Sequence, residues 1–462
     1  MNRLLIAIVA TFLVVLTNVT ATAQSPASGQ AQVENVPDLL ATANKAYADK
    51  DYEALTGALE RLHVMRPYNS EYMYRLVLAY ALLDEKTRAY DLMLRMQQQG
   101  LAYDFTASED SVNIRGTEVF DYVNELMLHA AKPFGEAEAA FTLPPDVTMP
   151  GSMDWDETRQ AFLVGTLDKG RVLAVDGEGQ VSELLRATPS NGMWAVLDVL
   201  VDEQRDRLWL TSAAIPAFGD VDVADRGLSG LFEFELGTLK FVRRYPVPVD
   251  GRPHVPGSMD MSPNGDIYIA DRALPIIYVK RAAEEKLTGA FASRDMVSLR
   301  DIAMQPDGRI MYIAGREKGI TVVDFVGKQA APLAGPETLN LGGIDGMFLR
   351  NNQLVIIQNG IQPQRVMRLA LDSSGTKVEA VRPLAVALPV FDMPTFGTIK
   401  GDHLVYFANG RWPGEGEATA GVTAVKTALD PNTDLIPPEM QLYLEQERRQ
   451  KAERERQKQD EN

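Results

Sequence analysis

A unit of apolar strand, tight turn and second apolar strand recurs six times after residue 140, and this recurrence limits the fold more than any other property of the chain. Met153-Asp154-Trp155-Asp156 leads through a turn to Ala161-Phe162-Leu163-Val164, and then to a third run at Arg171-Val172-Leu173-Ala174-Val175-Asp176. The same plan appears with Val199-Leu200-Val201-Asp202 before Arg207-Leu208-Trp209-Leu210, and with Met259-Asp260-Met261 before Ile267-Tyr268-Ile269-Ala270-Asp271. It returns with Ile302-Ala303-Met304, Met347-Phe348-Leu349 and the stretch from Thr395 to Ile399. The units start at residues 153, 199, 259, 302, 347 and about 397, in steps of 43 to 60 residues. One such unit cannot bury both of its faces, but units arranged in a ring can. Several strands per repeat of roughly 40 to 50 residues point to a β-propeller. The expected architecture is a six-bladed β-propeller over residues 139–430. A ring must also be joined, and Ala139 to Leu143 is the candidate strand to complete the last blade beside Val422 to Ala428.

Upstream the period changes from two to between three and four, which predicts an α-helical N-terminal domain over residues 36–132. Ala43, Ala46 and Tyr47 share a face, as do Leu55, Leu59 and Leu62, and as do Tyr72, Leu76, Ala79, Tyr80 and Leu83. The pairs Ala46-Tyr47 and Ala79-Tyr80 lie 33 residues apart, with Pro67 closing the first unit. This spacing resembles that of tetratricopeptide repeats, and plain helical hairpins fit it equally. In either case Tyr47, Tyr72 and Tyr80 are expected in a helical core. A further helix is predicted from Asn113 to Ala131. The fold class is thus mainly β, with a propeller preceded by tetratricopeptide-like helix hairpins.

The ends of the chain read differently. Arg3, the apolar run Leu4 to Leu16 and the small-x-small pattern Ala21-Thr22-Ala23 form a signal-peptide pattern over residues 1–23. Residues 24–35 are a Ser-, Ala- and Gln-rich linker, and residues 439–462 are a charged tail expected as an exposed helix or as disorder. The expectation is an exported protein, periplasmic or secreted, with no membrane span once the signal is removed. A net charge of −17 speaks against nucleic-acid partners, since phosphate binding needs a basic footprint. The absence of cysteine excludes thiolate metal sites, disulfides and a cysteine nucleophile.

The stretches "PGSMDWDETRQAFLVGTLDKGRVLAVD", "PGSMDMSPNGDIYIAD", "LRDIAMQPDGRIMYIAG" and "IDGMFLRNNQLVIIQNG" resemble blades of the senescence-marker-protein and gluconolactonase-like six-bladed propellers. That resemblance implies one divalent cation in the central channel, held by a Glu, two Asn and an Asp, acting on a lactone or ester. Carried over position by position, the glutamate falls on Gly151 and the first asparagine on Gly257. The second asparagine falls on Arg300, or on Asp301 if the register slips by one, and the aspartate survives as Asp345. One ligand of four does not hold a calcium-like ion, which takes six or more oxygens.

Asp198, Asp301 and Asp345 each sit just before an expected inner strand and so face the same end of the channel, which makes the three the candidate metal ligands for one Ca, Mn, Mg or Zn ion. Asp345, Asp301 and His254 are the candidate catalytic groups, with His254 in a Pro-rich loop suited to acid–base work. Arg300 and Trp412 are candidate ligand contacts. Two functions follow. One is a binding or scaffold module, with a protein partner on the helical repeats and a small molecule at the propeller channel. The other is a divalent-metal-dependent lactonase- or esterase-type hydrolase.

Overall fold

The computed structural model describes residues 35–219, 221–411 and 421–431. The signal-peptide segment, nearly all of the linker, Trp412 and the charged tail lie outside the described residues. Among them are six antiparallel sheets, one per blade, in chain order around a central channel. The mainly-β propeller with a helical N-terminal region is therefore the fold, and five α-helices precede the blades among the described residues.

The inner strands are Pro150–Asp156, Ala195–Asp202, Pro256–Met261, Leu299–Met304, Ile344–Arg350 and Thr395–Lys400, for blades one to six. Each blade runs outward as a meander from its inner strand. Apolar side chains from adjacent blades fill the wedge between them, as where Leu163 and Val172 meet Val196 and Leu210. Blade six has only three strands from its own end of the sequence, and Glu138–Thr142 supplies the fourth. That strand pairs with Thr423–Ala428, with Glu138 opposite Lys426 and Thr142 opposite Thr423. A strand end left unpaired would be an open edge, and this pairing removes it. Phe134–Gly135 adds a short fifth strand to blade five, with Phe134 opposite Val386.

The helices are α1 (Val36–Asp49), α2 (Tyr52–Met65), α3 (Ser70–Leu82), α4 (Lys86–Gln98) and α5 (Glu118–Ala130). Asn35, Asp51, Asn69 and Thr117 each accept a hydrogen bond at a helix start, supplying a partner to a backbone N–H that the helix leaves unpaired. Small residues at the crossings (Ala43, Ala58, Ala79, Ala89) are fully buried, which lets the helices approach closely. Two expectations are corrected. The helix predicted from Asn113 begins only at Glu118, because Gly116 takes a positive φ of 74° and Thr117 then caps. Tyr47 is not core: it is 49% exposed and its hydroxyl reaches Asp110 at 2.9 Å, whereas Tyr72 and Tyr80 are buried. No helix among the described residues is long and apolar enough to cross a membrane.

The helical region sits against the channel end at which the inner strands begin. Arg66 and Asn69, between α2 and α3, donate to Glu317 in blade four at 2.8 and 3.0 Å. Arg365 of blade five donates to the Gln99 carbonyl at 3.0 Å, and Asn340 donates to the Gln99 side chain at 3.0 Å.

Candidate functional site: the propeller channel

All six inner strands line one cavity of about 260 Å³ on the channel axis. Its wall carries Ser152, Asp154, Asp198, Ser258, Asp260, Arg300, Asp301 and Thr398. The aspartates are engaged from blade to blade. Asp154 accepts the Val201 N–H at 2.8 Å, joining blade one to blade two. Asp198 accepts from Met259 at 2.5 Å, Asp260 from Met304 at 2.6 Å and Asp301 from Met347 at 2.6 Å, which carries the linkage on to blade five. The Thr395 hydroxyl donates to Asp345, and the Thr398 hydroxyl donates to Asp154 at 3.0 Å, closing the circuit through blade six. The Ser152 and Ser258 hydroxyls donate to Asp198 and Asp301. The result is a belt of hydrogen bonds around the channel, crossing every blade junction.

Burial raises the proton affinity of this belt, because a carboxylate surrounded by protein loses hydration that its neutral form does not need. Burial pushes Asp198 up to about 8 and Asp260 up to about 7. Asp154 and Asp301 are pushed up to about 6 by the same cause, against the N–H and hydroxyl donors that favour their charged forms.

Asp345 behaves in the opposite way. It is 1% exposed, and its burial alone would raise it. Arg272, Arg300, the Thr395 hydroxyl and Arg316 outweigh burial together and hold it below the usual carboxylate range. Arg272 donates to its Oδ1 at 3.1 Å, while Arg300 and Arg316 approach the same oxygen at 3.5 and 3.8 Å. Its other oxygen takes the Thr395 hydroxyl and the Asn359 amide. Two of the arginines are seated on glycines. A Cβ on Gly257 would stand 2.2 Å from Arg272 Cδ, and one on Gly360 would stand 3.1 Å from Arg316 Nε.

These contacts decide how the residues present suit the cation that the resemblance implies. Arg272 fills the space that a side chain at position 257 would need. Position 151 is closed as well, since a Cβ there would lie 2.5 Å from the Val196 carbonyl oxygen. A cation at Asp345 would stand among three guanidinium groups, an arrangement that Coulomb repulsion opposes. Among the described residues no group of three or more His, Asp or Glu is placed to hold a metal ion. The expected rim of Asp198, Asp301 and Asp345 is thereby corrected. All three face the channel end where inner strands begin, but Asp198 and Asp301 turn their oxygens to neighbouring strands and Asp345 turns its own to arginine. The residues do not fit a divalent cation.

His254 stands apart from this channel. It is buried, with Nδ1 at 2.8 Å from both Asp271 and the Tyr278 hydroxyl, and Nε2 at 3.0 Å from Asp250. It walls two side cavities of about 430 and 390 Å³ and does not line the channel cavity. The structure therefore brings Asp345, Asp301, Asp198 and Arg300 to one channel end and leaves His254 outside the group.

Arg272, Arg316 and the belt residues carried a sequence signal. Pro-Gly-Ser-Met-Asp occurs twice, at residues 150–154 and 256–260, and places the serine and aspartate of the belt in blades one and three alike. Tyr-Ile-Ala-Asp-Arg at 268–272 and Tyr-Ile-Ala-Gly-Arg at 312–316 end second strands in blades three and four. Antiparallel pairing returns those strand ends to the starts of the inner strands, with Asp271 opposite Pro256 and Gly315 opposite Leu299, and Asp345 lies at the corresponding start in blade five.

No protein-family model matches the chain, and no curated protein matches it. Solved structures with a similar chain path include a calcium-binding protein, regucalcin, from Agrobacterium tumefaciens, with 13% identity, 64% of this chain and 95% of that one covered, and a TM-score of 0.46. A luciferin-regenerating enzyme gives 12% identity over 64% of this chain and 96% of that one, with a TM-score of 0.45. A gluconolactonase from Xanthomonas campestris gives 15% identity over 64% and 98%, with a TM-score of 0.43.

Proposed function

We propose that this chain is an exported ligand-binding propeller whose channel centre is built from arginine in place of a metal ion. The carrying observation is the seat of Arg272. Its side chain lies over Gly257 and donates to Asp345 at 3.1 Å, so the one acidic residue retained from the implied ligand set already has a fixed cation. A guanidinium supplies charge and hydrogen bonds, but it does not polarise a carbonyl or activate a water as a Lewis-acidic ion does. The arrangement favours binding over lactone or ester hydrolysis. The helical hairpins, read as tetratricopeptide-like, are the surface for a protein partner, and the channel is the place for a small molecule.

The test is direct. Purified protein is incubated with Ca²⁺, Mn²⁺, Mg²⁺ or Zn²⁺, passed through a desalting column and analysed for metal, and turnover of simple lactones and esters is measured with each ion present. The expected result is less than stoichiometric metal and no turnover above that of the buffer. One metal per chain that Asp345→Asn removes, or metal-dependent hydrolysis, would overturn the reading.

A further inference from the structure

We infer that a side cavity between blades two and three binds a small acyl-chain acid, with its apolar tail inside and its single carboxylate at Arg226. The site shares no lining residue with the channel cavity and does not depend on what the channel holds. Its volume of about 430 Å³ exceeds that of the channel cavity and lies within the roughly 300–1,000 Å³ of small-molecule pockets. A long connection forms much of its wall. Ala213 pairs with Ser229, so the whole run from Ala214 to Leu228 stands where a hairpin needs only about two to five residues. The run is tied down. The Ala214 N–H donates to the Leu228 carbonyl at 2.8 Å, and Trp194 Nε1 donates to Asp225 at 3.2 Å.

The lining is apolar and preformed. Ile215, Pro216, Leu228 and Val255 belong to it. His254 lines it as well, but Asp271 and Asp250 engage both ring nitrogens, so it offers ring carbon to a ligand and no hydrogen bond. Asp271 also accepts the Val255, Ala273 and Leu274 N–H groups, which fixes this wall. A pocket already formed loses little ordering entropy when filled, and each methylene buried there strengthens binding about fourfold. Arg226 is the other ionisable residue of the lining; it is exposed, so its charge marks the mouth. Among the described residues no carboxylate pairs with it. Asp222 and Asp225 share its run but do not line the cavity, and they take up the Ala224 N–H and the Trp194 indole N–H. The guanidinium fork suits a carboxylate, which stays at the water while its chain enters.

Calorimetric titration of the full-length protein tests this with octanoate, butyrate, octylamine and octanol as probes. The inference expects octanoate to bind at least twentyfold more tightly than butyrate, and more tightly than octylamine. Arg226→Ala should weaken octanoate about threefold to fivefold, the effect of losing an exposed ion pair, and leave octanol unchanged. Arg309→Ala, on an exposed pair with Asp324, should alter neither. Ala214→Leu adds bulk to a residue of the lining and should weaken octanoate and octanol alike, at least tenfold. Should Ala214→Leu fail to fold, the ranking of probes and the Arg226→Ala comparison still decide. No octanoate binding, octylamine binding as tightly as octanoate, an Arg226→Ala protein with unchanged octanoate affinity, or full affinity in folded Ala214→Leu would overturn the inference.

Discussion

Arg316 and Glu317 are consecutive residues of one turn in blade four, and they serve different parts of the molecule. Arg316 reaches Asp345 at the channel, while Glu317 is held by Arg66 at 2.8 Å and Asn69 at 3.0 Å from the helical region. Tyr68 closes over the same turn, since a Cβ on Gly319 would come 2.8 Å from its ring. The helical region thus grips the backbone that aims one of the three arginines.

Glu317→Ala removes both helical donors' partner and leaves a partly buried Arg66 without its carboxylate. The expected cost is about 1–3 kcal/mol, the range for a lost hydrogen bond to a charged group together with the stranded donor. Thermal unfolding and amide exchange over residues 66–69 and 316–319 check it. Exchange should rise in both segments, and Glu317→Gln should restore part of the loss.

Gly257→Ala forces Arg272 from its seat, because the added carbon would fall 2.2 Å from Arg272 Cδ. Overpacking of this kind costs about 1–3 kcal/mol. Gly177→Ala, where nothing lies within 4 Å of the added carbon, is the matched control and should leave the unfolding midpoint nearly unchanged. Equal midpoints for the two variants would contradict the seat.

Stability should fall as pH rises from about 5 to 8. Asp198, Asp260, Asp154 and Asp301 are raised by burial to about 8, 7, 6 and 6, above the ordinary unfolded value of roughly 4. In that window the folded chain holds more protons than the unfolded chain, so raising the pH favours unfolding. The contribution is fully present below the unfolded value and is lost through the folded ones. Asp345, held below the usual range by its arginines, works in the other direction and only in acid. Denaturant midpoints at pH 5.5, 7 and 8.5 should therefore descend in that order, and a midpoint that climbs with pH would refute the assignment.

Phe141→Ala attacks the closing strand. Phe141 is buried, 5.4 Å from the ring of Phe162 in blade one and 6.4 Å from that of Phe407 in blade six. Its loss should cost about 3–5 kcal/mol, as large aromatic truncations in cores do. A second effect should be concentration-dependent aggregation, because the loosened strand exposes the edge at Thr423–Ala428. Light scattering beside thermal unfolding separates the two.

The ring was legible because strand period and turn spacing are local properties, repeated six times in the same order. Even the joining strand could be placed at Ala139 to Leu143, since a ring must close and the last blade is otherwise one strand short. The channel was less legible. Asp198, Asp301 and Asp345 were picked as strand-start acids, but whether a carboxylate faces an ion, a neighbouring N–H or an arginine is decided by residues far away in sequence. Asp301 is satisfied by Met347 and Ser258, and Asp345 by Arg272 and Thr395, none of them within ten positions. His254 reads from its Pro-rich loop as a group for acid–base work, yet its ring is held by Asp271 and Asp250 from both sides, away from the channel. The Asn113 helix failed for a nearer reason, a glycine whose positive φ the apolar period does not register.

The closing strand also sets an order of events during synthesis. Glu138–Thr142 leaves the ribosome directly after the helical region, but its partner Thr423–Ala428 is the last strand to be made among the described residues. The Thr427 hydroxyl that bonds the Glu136 carbonyl arrives 291 residues later. Until then the helical region can fold as soon as it emerges, while the strand beside it has no mate and five complete blades have no sixth. The propeller is therefore finished only when its sixth blade has been made, by a segment that has waited through the synthesis of the other five.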